Sequence, residues 1–336
     1  MLKVFIPQAG RSLDVKSGQT ILLAALGAGI AYPHGCKSGR CGSCKSRLIS
    51  GEVDLLPHTP FALSPEERAG GLILACRAQP LSNATVAWLG GADEIADIPV
   101  GRFEGAIAAV EDATHDIKLI RVRLNDRGAF TFKAGQYARL FYPGAPSRDY
   151  SFASGPDEEL VEFHVRRVPE GVASQRIWAH AAVGDRIAIE GPLGSAFLRE
   201  NHAGPILGIA GGSGLAPIKA VAETALARGM GQPIRIYFGA RSERDLYLLD
   251  RFAALTERHA NLNFVPVLSE DSGTGFRRGY VSDAVAADLG DLDGWKAYLA
   301  GPPAMVDAAG PILLQRGLRA VDIHADVFYT PEHGSS

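Results

Sequence analysis

The sequence predicts a multidomain chain: an α+β domain, then an antiparallel β-barrel, then an α/β domain with a parallel sheet. Three observations lead to this prediction. All four cysteines lie in the first domain, residues 101–200 alternate polar and apolar side chains, and strand-like and helical stretches alternate from residue 205 onwards. The length of 336 residues accommodates two to three domains at roughly 150 residues each. We expect domains at 1–92, 101–200 and 201–336, with residues 93–100 as a linker.

The composition is that of an ordinary folded protein, with 46% hydrophobic and 21% charged residues. A formal net charge of −3 lacks the basic excess of a nucleic-acid-binding protein, so we expect no nucleic-acid partner. The longest uncharged apolar stretch, residues 20–32, is shorter than the ~20 residues that a membrane span needs. The N-terminus also lacks the pattern of a secretory signal. We therefore expect no membrane partner and a cytoplasmic location.

The cysteine spacing carries the strongest chemical signal. Three cysteines form a C-x4-C-x2-C pattern, and the fourth follows after 31 further residues. This is the pattern of plant-type [2Fe–2S] sites, in which two thiolates and two bridging sulfides complete the four ligands of each iron. A zinc site and buried free thiols are the alternatives, although zinc sites more often contain two C-x2-C pairs. The candidate metal ligands are Cys36, Cys41, Cys44 and Cys76.

The segments around the cysteines predict a small α+β domain. Residues 2–7 and 12–15 are predicted strands, and a helix is expected from Thr20 to about Gly27. A second helix is expected at Ser64, where Pro65 suits the first helical position. Together with the cysteines, residues 1 to about 90 resemble the β-grasp fold of plant-type [2Fe–2S] ferredoxins. The resemblance implies a [2Fe–2S] cluster as the cofactor of this domain.

The second and third domains differ in periodicity. Short runs of period 2 at 117–124, 137–142, 160–168 and 186–190 are separated by turns, which predicts an antiparallel barrel. From residue 205, strands are expected at 205–210, 234–238, 263–268, 296–300 and 322–327, with helical stretches between them. One of these helices is expected to begin at Ser282-Asp283. Alternating strands and helices predict a parallel, doubly wound sheet.

A short motif on the predicted barrel indicates a specific protein family. Arg148-Asp149-Tyr150-Ser151 resembles the R-x-Y-S motif of ferredoxin-NADP⁺-reductase-like flavoproteins. The resemblance implies an FAD-binding barrel in which Arg148 binds the flavin phosphate, Tyr150 lies against the isoalloxazine ring and Ser151 hydrogen-bonds the ring.

Two other segments resemble the flavin-binding parts of that family. In the second flavin segment, a turn opens a helix beneath the FAD pyrophosphate. Near the C-terminus, an aromatic side chain covers the flavin, although simple hydrophobic packing is equally open here. The implied FAD-binding residues of these segments are His164, Val165, Arg166, Gly171, Val172, Ser174 and Phe328.

The nucleotide-binding domain shows matching loops. The segment at residues 211–217 resembles the family's G-G-[ST]-G-x-A-P loop, at the point where a strand passes into a helix and a pyrophosphate is favoured. Considered alone, the loop is better explained as a tight β–α turn than as a pyrophosphate site. Gly301-Pro302-Pro303 matches the family's C-G-P-P segment, with Ala300 in place of the cysteine that helps to align the nicotinamide. The implied NAD(P)-binding residues are Gly211, Gly212, Ser213, Gly214, Ala240, Arg241, Gly301 and Pro302.

In order and content, these motifs resemble the reductase components of Rieske aromatic-ring dioxygenases, of the naphthalene dioxygenase type. The resemblance implies an NAD(P)H-dependent oxidoreductase that passes electrons through FAD and the [2Fe–2S] cluster to a Rieske-type ferredoxin or to the terminal oxygenase. Reductases of diiron hydroxylases and a non-enzymatic iron–sulfur redox sensor are the alternatives. We find no acid, base or nucleophilic triad, and none is required.

The choice of pyridine nucleotide rests on one loop. NADPH-specific relatives carry a Ser-Arg pair where this chain has Ser269-Glu270-Asp271, and carboxylates repel a 2′-phosphate. We therefore expect NADH as the preferred substrate. Arg241, Arg244 and Arg277 keep NADPH open as a second one.

Overall fold

The computed structural model describes residues 1–90, 98–270 and 275–329, which form two compact units. Within these residues, the first unit takes in residues 1–90 with Gly194–Ala196 and His324–Asp326, and the second unit takes in the rest. The predicted linker at 93–100 lies mostly outside the described residues. No helix in the described ranges is both long and apolar enough to cross a membrane.

The secondary structure follows the predicted order. The strands are β1 (Leu2–Ile6), β2 (Arg11–Val15), β3 (Lys45–Ser50), β4 (Val53–Leu55), β5 (Leu72–Leu74), β6 (Ala78–Pro80), β7 (Ala84–Trp88), β8 (Gly101–Asp112), β9 (Ile117–Leu124), β10 (Tyr137–Phe141), β11 (Arg148–Ser151), β12 (Val161–Arg166), β13 (Arg186–Leu193), β14 (Ile206–Gly211), β15 (Ile234–Ala240), β16 (Leu262–Leu268), β17 (Arg277–Arg278), β18 (Lys296–Gly301) and β19 (Ile323–Val327). The helices are α1 (Ile21–Gly27), α2 (Pro65–Ala69), α3 (Val172–His180), α4 (Leu215–Ala227), α5 (Leu249–Arg258), α6 (Val281–Asp288) and α7 (Pro303–Gln315).

The first unit contains a mixed five-stranded sheet in the order β2-β1-β7-β3-β5. Strands β1 and β7 are parallel, and the other described pairs in the sheet are antiparallel. Thr20 caps α1 as predicted, with its side chain accepting a hydrogen bond from Leu23 N. Ser64 and Glu67 form a reciprocal capping box at α2, which begins at Pro65. This architecture confirms the predicted α+β, β-grasp domain.

The second unit opens with an antiparallel sheet in the order β11-β10-β13-β8-β9-β12. A bridge between Phe152 and Phe163 joins its two edge strands and closes the barrel. The predicted strands each begin within one residue of the observed ones. The sequence missed β8, because a bulge between Ile107 and Ala109 breaks its period-2 pattern.

The second unit continues with a six-stranded sheet in the order β17-β16-β15-β14-β18-β19. Strands β14 to β18 are parallel in each described pair, which confirms the predicted α/β domain. Strand β14 is buried at every position, as expected of a central parallel strand. Strands β14, β15, β16 and β18 all end at one edge of the sheet. Polar and glycine-rich loops therefore meet at that edge.

Candidate functional site

The four cysteines come together in the first unit as two pairs. The amide N–H of Cys36 points at Cys41 Sγ at 3.3 Å, and the amide N–H of Cys76 points at Cys44 Sγ at 3.5 Å. Ser38 and Arg40 direct their amide N–H groups at Cys36 Sγ, at 3.5 and 3.4 Å. Inward-pointing amides stabilise the negative charge of a thiolate cluster. All four thiols are free, and the donor set fits the predicted [2Fe–2S] cluster.

The thiols of each pair interact directly. The hydrogen bond from Cys41 lowers the pKa of Cys36 to about 5, against the effect of burial, and the contacts with Ser38 and Arg40 act in the same direction as that hydrogen bond. The pKa of Cys41 is raised by its hydrogen bond with Cys36 and by burial, and that of Cys44 is raised by its hydrogen bond with Cys76 and by burial. Close thiols in a buried loop repel one another as thiolates, and bound metal removes that repulsion.

The R-x-Y-S motif lies on β11, at one edge of the barrel sheet. Arg148 is exposed and donates a hydrogen bond to the Ser147 carbonyl at 2.8 Å. Tyr150 packs against the barrel core, and burial raises the pKa of its hydroxyl to about 12. Ser151 is buried and pairs with Tyr137 of β10. The structure therefore brings the three predicted FAD residues together on one strand.

The predicted flavin residues on β12 point to different places. The Val165 side chain is fully buried in the barrel core, so only its backbone is available to a cofactor. Both ring nitrogens of His164 are engaged, by Tyr247 Oη at 2.9 Å and Glu162 Oε1 at 3.2 Å, so its side chain is not available either. Arg166 donates to Asp116 Oδ2 at 2.7 Å. A side chain at Gly212 would meet the Arg166 guanidinium, so this arginine lies beside the nucleotide loop.

Helix α3 begins at the other predicted flavin residues. Gly171 is its N-terminal cap, and no side chain caps the helix there. Ser174 Oγ accepts from Val168 N at 3.1 Å and donates to Gly171 O at 3.0 Å, which fixes the turn. Val172, in the first turn, is exposed. Uncapped N–H groups at an accessible helix start fit the FAD pyrophosphate.

The two glycine loops of the parallel sheet contact each other through their backbones. A Cβ on Gly214 would clash with the Ala300 carbonyl, and one on Gly211 would lie 2.9 Å from Pro302 Cδ. Gly301 has φ +148°, which side chains rarely adopt. The loop Gly212–Gly214, with Ser213 at its centre, is a 3₁₀ turn, and no side chain caps the start of α4 that follows. Small residues at a strand end, followed by a helix start that no side chain caps, are features that fit the pyrophosphate of a dinucleotide.

The remaining predicted nucleotide residues lie at neighbouring strand ends. Ala240 ends β15 and accepts a hydrogen bond from Ser269 N, and exposed Arg241 accepts one from Glu270 N. Phe328 N donates to Gly301 O at 2.9 Å, which places Phe328 beside the loop that begins at Ala300. Asp271 of the predicted specificity loop lies outside the described residues.

A buried charged network escaped the sequence analysis. Glu162, on β12, contacts Lys219 Nζ at 3.0 Å and Arg121 Nε at 2.7 Å. Burial opposes ionisation, but the hydrogen bond from His164 and the charge of Lys219 hold the pKa of Glu162 well below its usual range. Burial lowers the pKa of His164, against the hydrogen bond and the charge of Glu162. The sequence feature that could have indicated this network is Lys219, which is the charged residue in the otherwise uncharged helical run 215–222.

Comparison with known protein families accounts for all three sites. Residues 4–81 match the 2Fe-2S iron-sulfur cluster binding domain. Residues 104–197 match the oxidoreductase FAD-binding domain, and residues 209–310 match the oxidoreductase NAD-binding domain. The predicted [2Fe–2S], FAD and NAD(P) cofactors are confirmed by these matches.

Individual relatives match over nearly the full chain. The reductase component of the naphthalene 1,2-dioxygenase/salicylate 5-hydroxylase systems of Ralstonia sp. is 38% identical, over 94% of this chain and 95% of its own length. The reductase component of phenol 2-monooxygenase of Pseudomonas sp. is 39% identical, over 99% and 96%. The solved structure of a ferredoxin reductase in carbazole 1,9a-dioxygenase superposes with a TM-score of 0.69 at 31% identity, covering 98% of each chain.

Replacing the fourth cysteine tests the cluster. We expect Cys76→Ala to lose the iron and the inorganic sulfide and to keep its FAD, because one iron is left with a single thiolate. The measurement is the iron, sulfide and flavin content per chain, with Ser17→Ala as a control on the exposed turn after β2. Zinc in the wild type, or a full cluster in Cys76→Ala, would contradict the assignment.

Gly214 tests the contact between the glycine loops. We expect Gly214→Ala to destabilise the fold by about 1–3 kcal/mol and to weaken NADH binding, because the added methyl group meets the Ala300 carbonyl, which cannot rotate away. Thermal unfolding and the dissociation constant of NADH measure the two effects. Gly231→Ala is the matched control, since no atom lies within 4 Å of its added methyl group. Equal behaviour of the two variants would show that the contact is unimportant.

Proposed function

Because the chain belongs to the family of ferredoxin–NAD(P)⁺ reductase components of oxygenase systems, we propose that it reduces a Rieske-type ferredoxin or the terminal oxygenase of an aromatic-ring-hydroxylating dioxygenase. Members of this family pass electrons from NAD(P)H through FAD to the [2Fe–2S] cluster. The observation that carries the proposal is the presence of all three sites in one chain. The dioxygenase relatives support the acceptor class.

The roles of the residues follow from their positions. When bound, FAD accepts a hydride as an electron pair, and the [2Fe–2S] cluster takes the electrons one at a time. The exposed Arg148 offers a forked cationic donor to the flavin phosphate, and the start of α3 at Val172, which no side chain caps, would offer backbone N–H groups to the pyrophosphate. Tyr150 supplies a flat apolar surface for the flavin ring, and Ser151 supplies a hydroxyl.

The nucleotide loops are proposed to bind NAD(P)H through backbone groups. Gly212, Ser213 and Gly214 allow the pyrophosphate of NAD(P)H to approach the start of α4. Gly301 and Pro302 would form a surface for the nicotinamide, and Phe328 is held next to Gly301 by its backbone. Ala300 offers only a methyl group where related enzymes carry a thiol, so these neighbours must align the nicotinamide.

The proposal extends to domain limits and location. We place the functional domains at 1–92, 101–200 and 201–336, which the three matched ranges support. We place the protein in the cytoplasm, where reduced thiols are available for cluster assembly.

A monooxygenase hydroxylase is the second candidate acceptor. The reductase component of phenol 2-monooxygenase is as similar to this chain as the dioxygenase relative is. A non-enzymatic redox sensor is not supported, since the oxidoreductase FAD- and NAD-binding domains are both present.

An anaerobic titration tests the electron pathway. We expect NADH to bleach both the flavin and the iron–sulfur absorption of the purified protein, because both groups accept electrons from it. The bleaching is followed in the visible spectrum. If the purified protein contains no flavin, or if neither NADH nor NADPH bleaches it, the assignment as a reductase is overturned.

The reduced protein is then offered to purified acceptors. We expect a Rieske-type ferredoxin or oxygenase to oxidise the reduced protein rapidly. The rate of this oxidation should be well above the rate with a monooxygenase hydroxylase. The opposite order of rates would replace the proposed acceptor by the second candidate and leave the electron pathway intact.

Glu270 tests the preference for NADH. We expect wild-type kcat/KM to be higher with NADH, and Glu270→Gln to raise kcat/KM for NADPH by roughly tenfold, since the carboxylate repels the 2′-phosphate. Arg277 is already paired with Asp288 and contributes little to a phosphate. Asp250→Asn, an exposed neutralisation on α5, is the control that should leave the NADPH/NADH ratio unchanged. A wild-type preference for NADPH would refute this assignment.

A further inference from the structure

Lys219 is a buried cation that links two functional parts of the second unit. It lies on α4, one turn after the Gly212–Gly214 loop, and its side chain is 3% exposed. Its Nζ donates to the Ala153 carbonyl at 2.8 Å and to Glu162 Oε1 at 3.0 Å. Ala153 follows Ser151 by two residues. A single ammonium group thus joins the helix behind the nucleotide loop to the segment that directly follows β11, the strand with the flavin motif.

A second path connects the same two regions. Glu162 Oε1 is 3.2 Å from His164 Nε2, and His164 Nδ1 is 2.9 Å from Tyr247 Oη. The Tyr247 hydroxyl also lies 3.4 Å from the carbonyl oxygen of Gly212, within the nucleotide loop. Both paths start at the Glu162 carboxylate on the barrel and end at the loop, or at the helix behind it.

Further charged side chains contact the Glu162–Lys219 pair. Arg121 binds the second oxygen of Glu162 at 2.7 Å. Glu223, one turn beyond Lys219 on α4, lies 3.5 Å from its Nζ and is itself bound by Arg251 at 2.7 Å. Buried ion pairs with several fixed partners define one geometry more strictly than apolar packing does.

Hydride transfer is sensitive to that geometry. NADH is oxidised to NAD⁺ as its hydride, two electrons with one proton, moves to FAD, and the reacting atoms must approach to about 3–3.5 Å. A displacement of ~1 Å can cost on the order of 10²-fold in rate. The nicotinamide depends on the Gly212–Gly214 loop and the flavin depends on the strand at Ser151, so the contacts that join these elements control the approach.

We propose that Lys219, with Glu162, His164 and Tyr247, is a positioning residue that sets the nicotinamide against the flavin ring for hydride transfer. The inference rests on the proposed NADH and FAD sites. None of the four side chains reacts. They fix the separation of the two rings by tying the nucleotide loop to the flavin-binding strand.

The test is rapid-mixing kinetics of the FAD- and cluster-loaded protein with NADH under anaerobic conditions. We expect Lys219→Met, which has a similar size, to lower the limiting rate of flavin reduction by at least ~10-fold while the dissociation constant of NADH changes by less than ~3-fold. The long-wavelength absorption of the stacked flavin and nicotinamide rings should weaken in parallel. Tyr247→Phe should lower the limiting rate by a smaller factor, and it decides the question if Lys219→Met does not fold.

Lys296→Met is the matched control. Lys296 is also a buried lysine, paired with Asp322 at 2.6 Å, but it lies at the start of β18, away from the loop. We expect a lower melting temperature and an unchanged limiting rate. An equal loss of rate in this control would attribute the effect to general destabilisation and overturn the inference.

The remaining outcomes are also decisive. If Lys219→Met folds and its limiting rate is unchanged, the inference is overturned and the assignment as a reductase stands. If Lys219→Met does not fold, an unchanged limiting rate in Tyr247→Phe has the same meaning. An effect confined to weaker NADH binding or to loss of FAD would also overturn the inference. A wild-type flavin that NADH does not reduce would overturn the proposed function and this inference with it.

Discussion

The second unit depends on the buried carboxylate of Glu162. An ion of this kind loses its hydration on folding, and removing one partner of a buried pair costs roughly 3–5 kcal/mol. Its partners come from different elements: Arg121 from β9, His164 from β12 and Lys219 from α4. Arg121 compensates the charge from within the barrel, whereas Lys219 does so only when α4 is folded and in contact with β12. The same requirement fixes the position of the nucleotide loop, because α4 continues from it.

The cofactor sites rely largely on backbone groups, which explains their glycines. At Gly214 and Gly301 the two loops approach so closely that a side chain has no room. In the first unit, the amides of Cys36, Ser38 and Arg40 turn towards sulfur atoms. Backbone N–H groups do not titrate and lose little entropy when they bind an anion or a cluster. They suit groups whose charge changes during electron transfer.

Sequence patterns predicted the sites that depend on local spacing. The cysteines and the glycine loops were identified because their geometry is set within a few residues. The observed strand β9 has the predicted bounds. His164 shows the limit: its position in a flavin motif was recognised, but its contacts with Tyr247 and Glu162 depend on packing between distant segments. Lys219 escaped for the same reason, since a lysine in an apolar helix does not reveal a carboxylate 57 residues earlier in the chain.

Hydride transfer and acceptor choice make separate demands on the chain. The proposed site on β11, the loop after β14 and the end of β18 serves hydride transfer from NADH to FAD, which is the same step whatever oxygenase receives the electrons. Relatives of nearly equal identity serve a dioxygenase and a monooxygenase, so overall similarity to this site does not select the acceptor. Electrons leave one at a time through the cluster, and Cys36 is the only one of its four ligands that is not fully buried. The residues that select the acceptor are therefore expected around the Cys36 loop of the first unit, the part of the cysteine cluster nearest to the surface.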